Sequence, residues 1–196
     1  MTDSADPSTT NPVDLDALAG ASVRLRELHE ADLASLCAWW ADPRIVPFQV
    51  AGPPHLRPSD GVREMFRTWS ANDGLDCGFS IVAKDSGELL GHGALFQTQP
   101  KDRCATLGIF LGPDHHGQGF GTDAVRVLVR YGFAQLGLHR IQLEVFAFNQ
   151  PAIASYRKVG FVEEGRRRSA VYRNGAWHDE VLMGMLRTEW PGQGMS

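Results

Sequence analysis

The sequence predicts one α/β domain, and three observations predict it. Runs of alternating apolar and polar residues interleave with stretches whose apolar residues recur at helical spacing. A glycine-rich loop, His116-Gly117-Gln118-Gly119-Phe120-Gly121-Thr122, joins a strand to a helix. Near the C-terminus, Asn174-Gly175 separates two strand-like runs and is the strongest hairpin signal in the chain. With 196 residues, 43% of them apolar and 21% charged, the chain has the size of one domain able to bury a core. That composition excludes collagen, coiled coil and wholesale disorder.

Each element has its own signal. Residues 1–20 are rich in Asp, Ser, Thr and Pro, carry too few apolar residues to offset ordering entropy, and are expected to form a disordered tail. The domain proper is expected over 21–190, with a short C-terminal tail over 191–196. Val23 and Leu25 alternate with Arg24 and Arg26 in a strand, and residues 30–40 place Leu33, Leu36, Cys37 and Trp40 on one helical face before Pro43. A connection holding Pro47, Pro53, Pro54 and Pro58 leads to a second helix over 59–71. Ser59 and Asp60 are its candidate caps, and Val62, Met65, Phe66 and Trp69 share one face. Strands follow over 78–84 and 89–97 around the turn Asp85-Ser86-Gly87-Glu88, then over 103–111. A helix beginning near Thr122 carries Val125, Leu128, Val129, Gly132 and Leu136 on one face and stops at Gly137. Residues 140–147 alternate, with Ile141, Leu143 and Val145 opposite Gln142, Glu144 and Phe146. A short helix over 150–159 and the hairpin over 161–186 complete the chain, with no internal repeat or second domain.

Charge and cysteine usage exclude several functions. Nineteen basic against twenty-three acidic residues leave a net charge of −4, so no global basic field captures nucleic acid or an anionic membrane. Cys37, Cys77 and Cys104 are an odd set without CxxC spacing, which fits free thiols in the core of a cytoplasmic protein. No apolar run approaches membrane-spanning length, and the N-terminus lacks the basic, apolar pattern of a signal peptide. A soluble, intracellular protein is expected.

Two constellations carry chemistry. In the loop from His116 to Thr122, glycines admit a close backbone approach, and the N–H groups and dipole at the helix start favour an anion such as a diphosphate. Taken alone, a tight turn needing positive φ explains the loop equally well. Rossmann spacing would need glycine at Thr122, a P-loop would need Gly-Lys-Ser/Thr, and neither G-x-S-x-G nor H-E-x-x-H occurs. Asp114-His115-His116 are neighbours in a loop that do not converge on one ion, so no metal is expected. The second constellation runs from Asn149 to Phe161, where a strand ends at a polar residue and a helix opened by Pro151 delivers Tyr156 before Gly160. In isolation, Asn149 reads as a cap and Tyr156 as packing.

Together, in this order and at this separation, the two constellations make the chain resemble the GCN5-related N-acetyltransferase (GNAT) superfamily. The loop is similar to that family's acetyl-CoA diphosphate motif, and Asn149, Ala152-Ile153, Tyr156 and Gly160-Phe161 are similar to its second signature. Phe161 to Arg166, with Asn174-Gly175, Asp179, Met183 and Leu186, are similar to the hairpin of the branch holding ribosomal-protein and polyamine acetyltransferases.

The resemblance implies a mixed central sheet splayed in the middle, with helices on both faces and acetyl-CoA in the splay. It assigns the pantetheine arm to the backbone of Ile109, Phe110 and Leu111. The diphosphate falls to His116, Gly117, Gln118, Gly119, Phe120, Gly121 and Thr122, and Asn149 reaches the pantetheine or orders the splay. Backbone N–H groups near Phe110 are expected to stabilise the oxyanion. Tyr156 is the implied general acid for the departing thiolate, since a phenol stays protonated at neutral pH.

Thr106 stands where many relatives carry a glutamate base, so Glu144 is the substitute, ahead of His92 and Asp179. A sheet-face ion pair is an equally good reading of Glu144. Arg166-Arg167-Arg168 reads as a charged, solvated strand. Trp40, Phe48, Trp69 and Trp177, with the Pro-rich segment, are candidates to line an acceptor pocket. The partners implied are acetyl-CoA and a primary amine, such as a protein N-terminus, a polyamine or an aminoglycoside-like molecule, with a homodimer left open. The rival from another class is a CoA-binding module without catalysis, suggested by Thr106.

Overall fold

The structure is a computed structural model and describes residues 15–49 and 58–191. Its strands are β1 (Val23–Arg26), β2 (Cys77–Ala83), β3 (Leu89–Gln99), β4 (Cys104–Leu111), β5 (Arg140–Phe146), β6 (Val162–Arg173) and β7 (Ala176–Leu186). They form one mixed sheet in the order β1-β2-β3-β4-β5-β7-β6, antiparallel throughout except for β4 and β5. The helices are α1 (Asp32–Trp40), α2 (Ser59–Trp69), α3 (Phe120–Ala134) and α4 (Gln150–Val159).

Strand alternation separates two cores. Leu107 and Leu111 of β4, Ile141, Leu143 and Val145 of β5, and Val181, Met183 and Met185 of β7 pack beneath α3 and α4. On the opposite face, Phe110 joins Leu33, Leu36, Val62 and Phe66 of α1 and α2. Helices therefore cover both faces, and the chain buries apolar area on each side of one sheet.

The parallel pair is short. It runs from Cys104↔Arg140 to Thr106↔Gln142 and then ends, while β5 continues against β7 as far as Phe146↔Glu180. From Leu107 onward β4 keeps only β3 as a partner. The sheet splits there into a wedge, as the resemblance implied.

Several expectations need correction. Part of the stretch assigned to a disordered tail is packed: Leu15–Leu18 form a 3-10 turn, Ala17 is buried, and Arg130 donates to the carbonyls of Ala17 (2.9 Å) and Ala19 (2.6 Å). The rest of that expected tail, residues 1–14, lies outside the described residues, as do 192–196 of the C-terminal tail. The reason for the packing is Asp123, in the first turn of α3, whose carboxylate gathers the N–H groups of Ala21, Ser22 and Val23 at 3.2, 2.7 and 3.1 Å. A Cβ at Gly20 would come within 2.5 Å of that carboxylate, so the chain passes there without one.

Neither Ser59 nor Asp60 caps α2, because both already lie inside its first turn, behind Pro58. Of the cysteines only Cys77 is buried, and Cys37 and Cys104 are half-buried at the edges of the cores. Phe146 is buried on the face expected to be polar, beneath the guanidinium of Arg173 (5.4 Å to the ring centre) and beside Phe148. Among the described residues, no helix is long and apolar enough to cross a membrane.

Candidate active site

The wedge presents a main-chain edge whose parity is set by one bond. Gly112 N–H donates to Leu90 O at 2.8 Å, so that in the antiparallel ladder Gly108, Phe110 and Gly112 turn their polar groups towards β3. Beyond the last bond to β5, Ile109 and Leu111 turn theirs into the gap. This supports Ile109 and Leu111 as backbone partners of an extended ligand. It corrects Phe110, whose N–H faces β3 and whose ring faces the other way, against Trp40 (5.3 Å) and Phe66 (5.7 Å).

At the end of β4 the chain enters the glycine loop. Gly117 (φ 75°) and Gly119 (φ 88°) take the left-handed conformation that β-carbons disfavour, and Gly119 caps α3, which therefore begins at Phe120 rather than Thr122. The N–H groups of Gln118, Gly119, Phe120, Gly121 and Thr122 have no acceptor among the described residues. Five consecutive unclaimed donors at a helix start fit a diphosphate.

Two side chains expected to help are engaged elsewhere. His116 Nε2 lies 3.2 Å from Leu111 O, closing the loop onto β4, and Gln118 donates to Asp114 O at 2.9 Å. Their contribution to an anion is thus main chain. Asp114 pairs with Arg44 (2.8 Å) and His115 stands edge-on to Trp39 (5.5 Å), so Asp114, His115 and His116 diverge.

Helix α4 delivers the second constellation. Asn149 is its N-cap, with Oδ1 accepting from Ala152 N–H at 3.3 Å, so that oxygen is spent on the helix rather than directed into the gap. Ile153, Tyr156 and Val159 form its buried face, and Gly160 (φ 118°) ends it by donating to the carbonyls of Tyr156 and Arg157. Tyr156 packs against Phe161 at 5.9 Å, and burial pushes its phenol up to about 12. Ser155, one residue round the helix, meets the Thr122 hydroxyl at 2.8 Å.

On the face of α1 and α2 the site is aromatic and acidic. Trp40 and Phe66 meet each other and both Trp69 and Phe110, mostly edge to face, with ring centres 5.3–5.8 Å apart. Thr106 is the last residue paired to β5. Glu144 shares this face but is ion-paired: Arg167 Nη1 lies 2.8 Å from its carboxylate and 2.7 Å from that of buried Glu180. The structure thus gives Glu144 the ion-pair surroundings that sequence could not choose between, and its lone pairs are partly occupied.

The weaker base candidates are also committed. His92 is buried against Ser70 Oγ (2.8 Å), burial pushing its imidazole down to about 4 against the pull of Asp32, and Asp179 accepts from Ser169 N–H at 3.0 Å. Of the arginine run, Arg166 pairs with Glu163 and Arg167 with Glu144 and Glu180, as a solvated charged strand does. Phe48 packs on Phe148 (5.8 Å), and Trp177 packs on Tyr172 (5.2 Å) at the exposed hairpin tip. Residues 50–57 of the Pro-rich segment lie outside the described residues.

Sequence alone did not signal Arg167, Asp123 or the Thr122–Ser155 contact, because each depends on strands or helices brought together from distant positions.

Comparisons with known proteins bear on this geometry. Residues 22–162 match the acetyltransferase (GNAT) domain. An uncharacterized N-acetyltransferase of Bacillus licheniformis, p20, is 30% identical over 173 residues, covering 87% of this chain and 95% of its own. A putative ribosomal N-acetyltransferase of Bacillus subtilis, YdaF, is 31% identical over 127 residues, 65% of this chain and 67% of its own. Among solved structures, the spermidine N-acetyltransferase of Vibrio cholerae in complex with CoA and spermine superposes with a TM-score of 0.77. It is 26% identical, with 86% of this chain and 97% of that chain covered.

Proposed function

The chain belongs to the acetyltransferase (GNAT) family of acetyl-CoA-dependent acyltransferases, and on that premise we propose that it acetylates a primary amine by direct attack within a ternary complex. The observation that carries this reading is the conjunction of the unpaired β4 edge at Ile109, the unclaimed N–H groups from Gln118 to Thr122, and Tyr156 on the helix beside them. These would hold the pantetheine, the diphosphate and the sulfur end of one extended donor. The donor's thioester supplies an acetyl group already activated towards amines.

The protein then has three tasks: alignment, oxyanion stabilisation and proton traffic. The N–H of Ile109, which faces the gap, takes the oxyanion in this reading, in place of Phe110. Tyr156 keeps its proton at every physiological pH and gives it to the leaving thiolate. Glu144 takes the amine's proton through water. Arg167 can let Glu144 go because Glu180 retains the guanidinium.

Among acceptors, polyamines come first. A spermidine acetyltransferase that binds spermine superposes on this chain, and the net charge of −4 attracts cations. A ribosomal-protein N-terminus is the second acceptor, suggested by the B. subtilis relative. Thiol release measured with spermidine, spermine, N-terminal peptides and aminoglycosides tests the proposal, with turnover expected on at least one polyamine. CoA binding with no turnover on any acceptor contradicts it and favours a binding module.

A further inference from the structure

The contact between Thr122 and Ser155 is left without a task by the reading above. Thr122 is the third residue of α3, and its N–H is one of the unclaimed donors of the loop. Ser155 immediately precedes Tyr156 on α4. Their hydroxyls meet at 2.8 Å across 33 positions of sequence, in a partly buried setting. Asn149 and Gly160 fix the ends of α4 by caps made within its own neighbourhood, and neither refers α4 to α3. The apolar packing around Ile153 is non-directional. A hydroxyl pair is directional, and it joins the turn that offers amides to an anion with the turn that carries the phenol.

Only one of two bonded hydroxyls supplies the shared hydrogen, so the other keeps its own free. With Ser155 donating, Thr122 Oγ1 accepts and turns its hydrogen outward, beside its own N–H. An anionic oxygen there would complete a chain from Ser155 through Thr122 to phosphate, and such chains strengthen when the terminal acceptor is charged.

We propose that Ser155 is a positioning residue: by donating to Thr122 it aims the Thr122 hydroxyl at the donor's diphosphate, and so links occupancy of the glycine loop to the setting of α4 and Tyr156. This rests on the acetyl-CoA reading above and adds to it a coupling between diphosphate binding and the acid.

The test compares acetyl-CoA with S-acetylpantetheine, which ends before the diphosphate. For Ser155→Ala, the expected result is a KM for acetyl-CoA raised about tenfold, the scale of one hydrogen bond to a charged group, with kcat lowered several-fold. With S-acetylpantetheine, kcat/KM should match that of the unaltered protein. Ser155→Thr, which keeps the hydroxyl, should recover most of the loss. Thr122→Val should lose a similar factor, and adding Ser155→Ala to it should cost little more, a non-additivity that holds even if one single variant is less stable.

An equal loss with both donors, or no loss with acetyl-CoA, overturns the coupling and leaves the acetyltransferase reading intact. If the unaltered protein binds no acetyl-CoA by calorimetry, the acetyltransferase reading falls and the coupling falls with it.

Discussion

Asp123 and Ser22, 101 positions apart, are joined twice: the carboxylate of Asp123 accepts the N–H of Ser22 at 2.7 Å and its hydroxyl at 3.1 Å. The same carboxylate takes the N–H groups of Ala21 and Val23, so the first turn of α3 is clamped to the start of β1. The other side of that turn offers its N–H groups as the anion cradle. One turn of helix thus anchors the sheet through a side chain and faces a ligand with its backbone. Replacing Asp123 by Ala strands the N–H of buried Val23 and leaves those of exposed Ala21 and Ser22 to water, and should destabilise the fold by about 1–3 kcal/mol. Asp123→Asn, which keeps one acceptor oxygen, should cost less. Urea unfolding of the two variants checks the order.

The same contact sets a pH dependence. Burial alone would raise the Asp123 carboxyl, but the donors from Ser22, Ala21 and Val23 outweigh it and hold the group below the usual carboxylate range. Asp32 follows the same pattern, burial being outweighed by Arg26, Ser80 and His29. Because both folded values lie below the unfolded ones, the stabilisation is present above the unfolded carboxylate pKa and is lost as pH falls through the folded values. Stability should therefore be flat through neutral pH on account of these two groups and fall below about pH 4. In Asp123→Asn, thermal unfolding between pH 4 and pH 2 should show a shallower decline.

Tyr156 makes a prediction at the other end of the scale. With its phenol pushed up to about 12 by burial, it remains an acid across the whole accessible range. The kcat profile should show no alkaline fall due to Tyr156 below pH 10, and Tyr156→Phe should lower kcat by about 100-fold. The KM for acetyl-CoA should stay nearly unchanged in that variant. An alkaline limb near pH 9 that disappears in Tyr156→Phe would contradict the assignment.

Glu144 is tested through its partner. If it takes the amine's proton, Glu144→Gln should reduce kcat/KM at pH 7 by about 100-fold, and the deficit should shrink as pH rises and the amine arrives already neutral. Arg167→Gln, which removes the guanidinium from Glu144 and Glu180 together, should retain activity. An unchanged rate in Glu144→Gln would return the carboxylate to a structural ion pair.

Sequence disclosed the parts of this site that local backbone chemistry dictates. Gly119 and the Asn174-Gly175 turn require positive φ, and the structure gives 88° at Gly119 and 51° and 82° at the hairpin. The start and stop of α4 followed from Pro151 and Gly160, and the family signature placed the wedge between β4 and β5. What stayed hidden depends on partners distant in sequence. The parity that turns Phe110 away from the gap is set by the bond from Gly112 to Leu90, and no single strand carries that information. For Glu144 the sequence leaves a base and an ion pair equally open, and only β6, entering beyond β7, brings Arg167 to it. Asp123 looks like an ordinary first-turn acid favoured by the helix dipole, and only the return of β1 reveals its three N–H donors.

The central claim is that the glycine loop and the open edge of β4 together hold one extended donor. Amide hydrogen exchange with and without CoA reads both at once. Slowed exchange at Ile109 and from Gln118 to Thr122, with little change along β6, is the predicted result. Unchanged exchange at those amides under saturating CoA, or protection confined to another surface, would contradict the account.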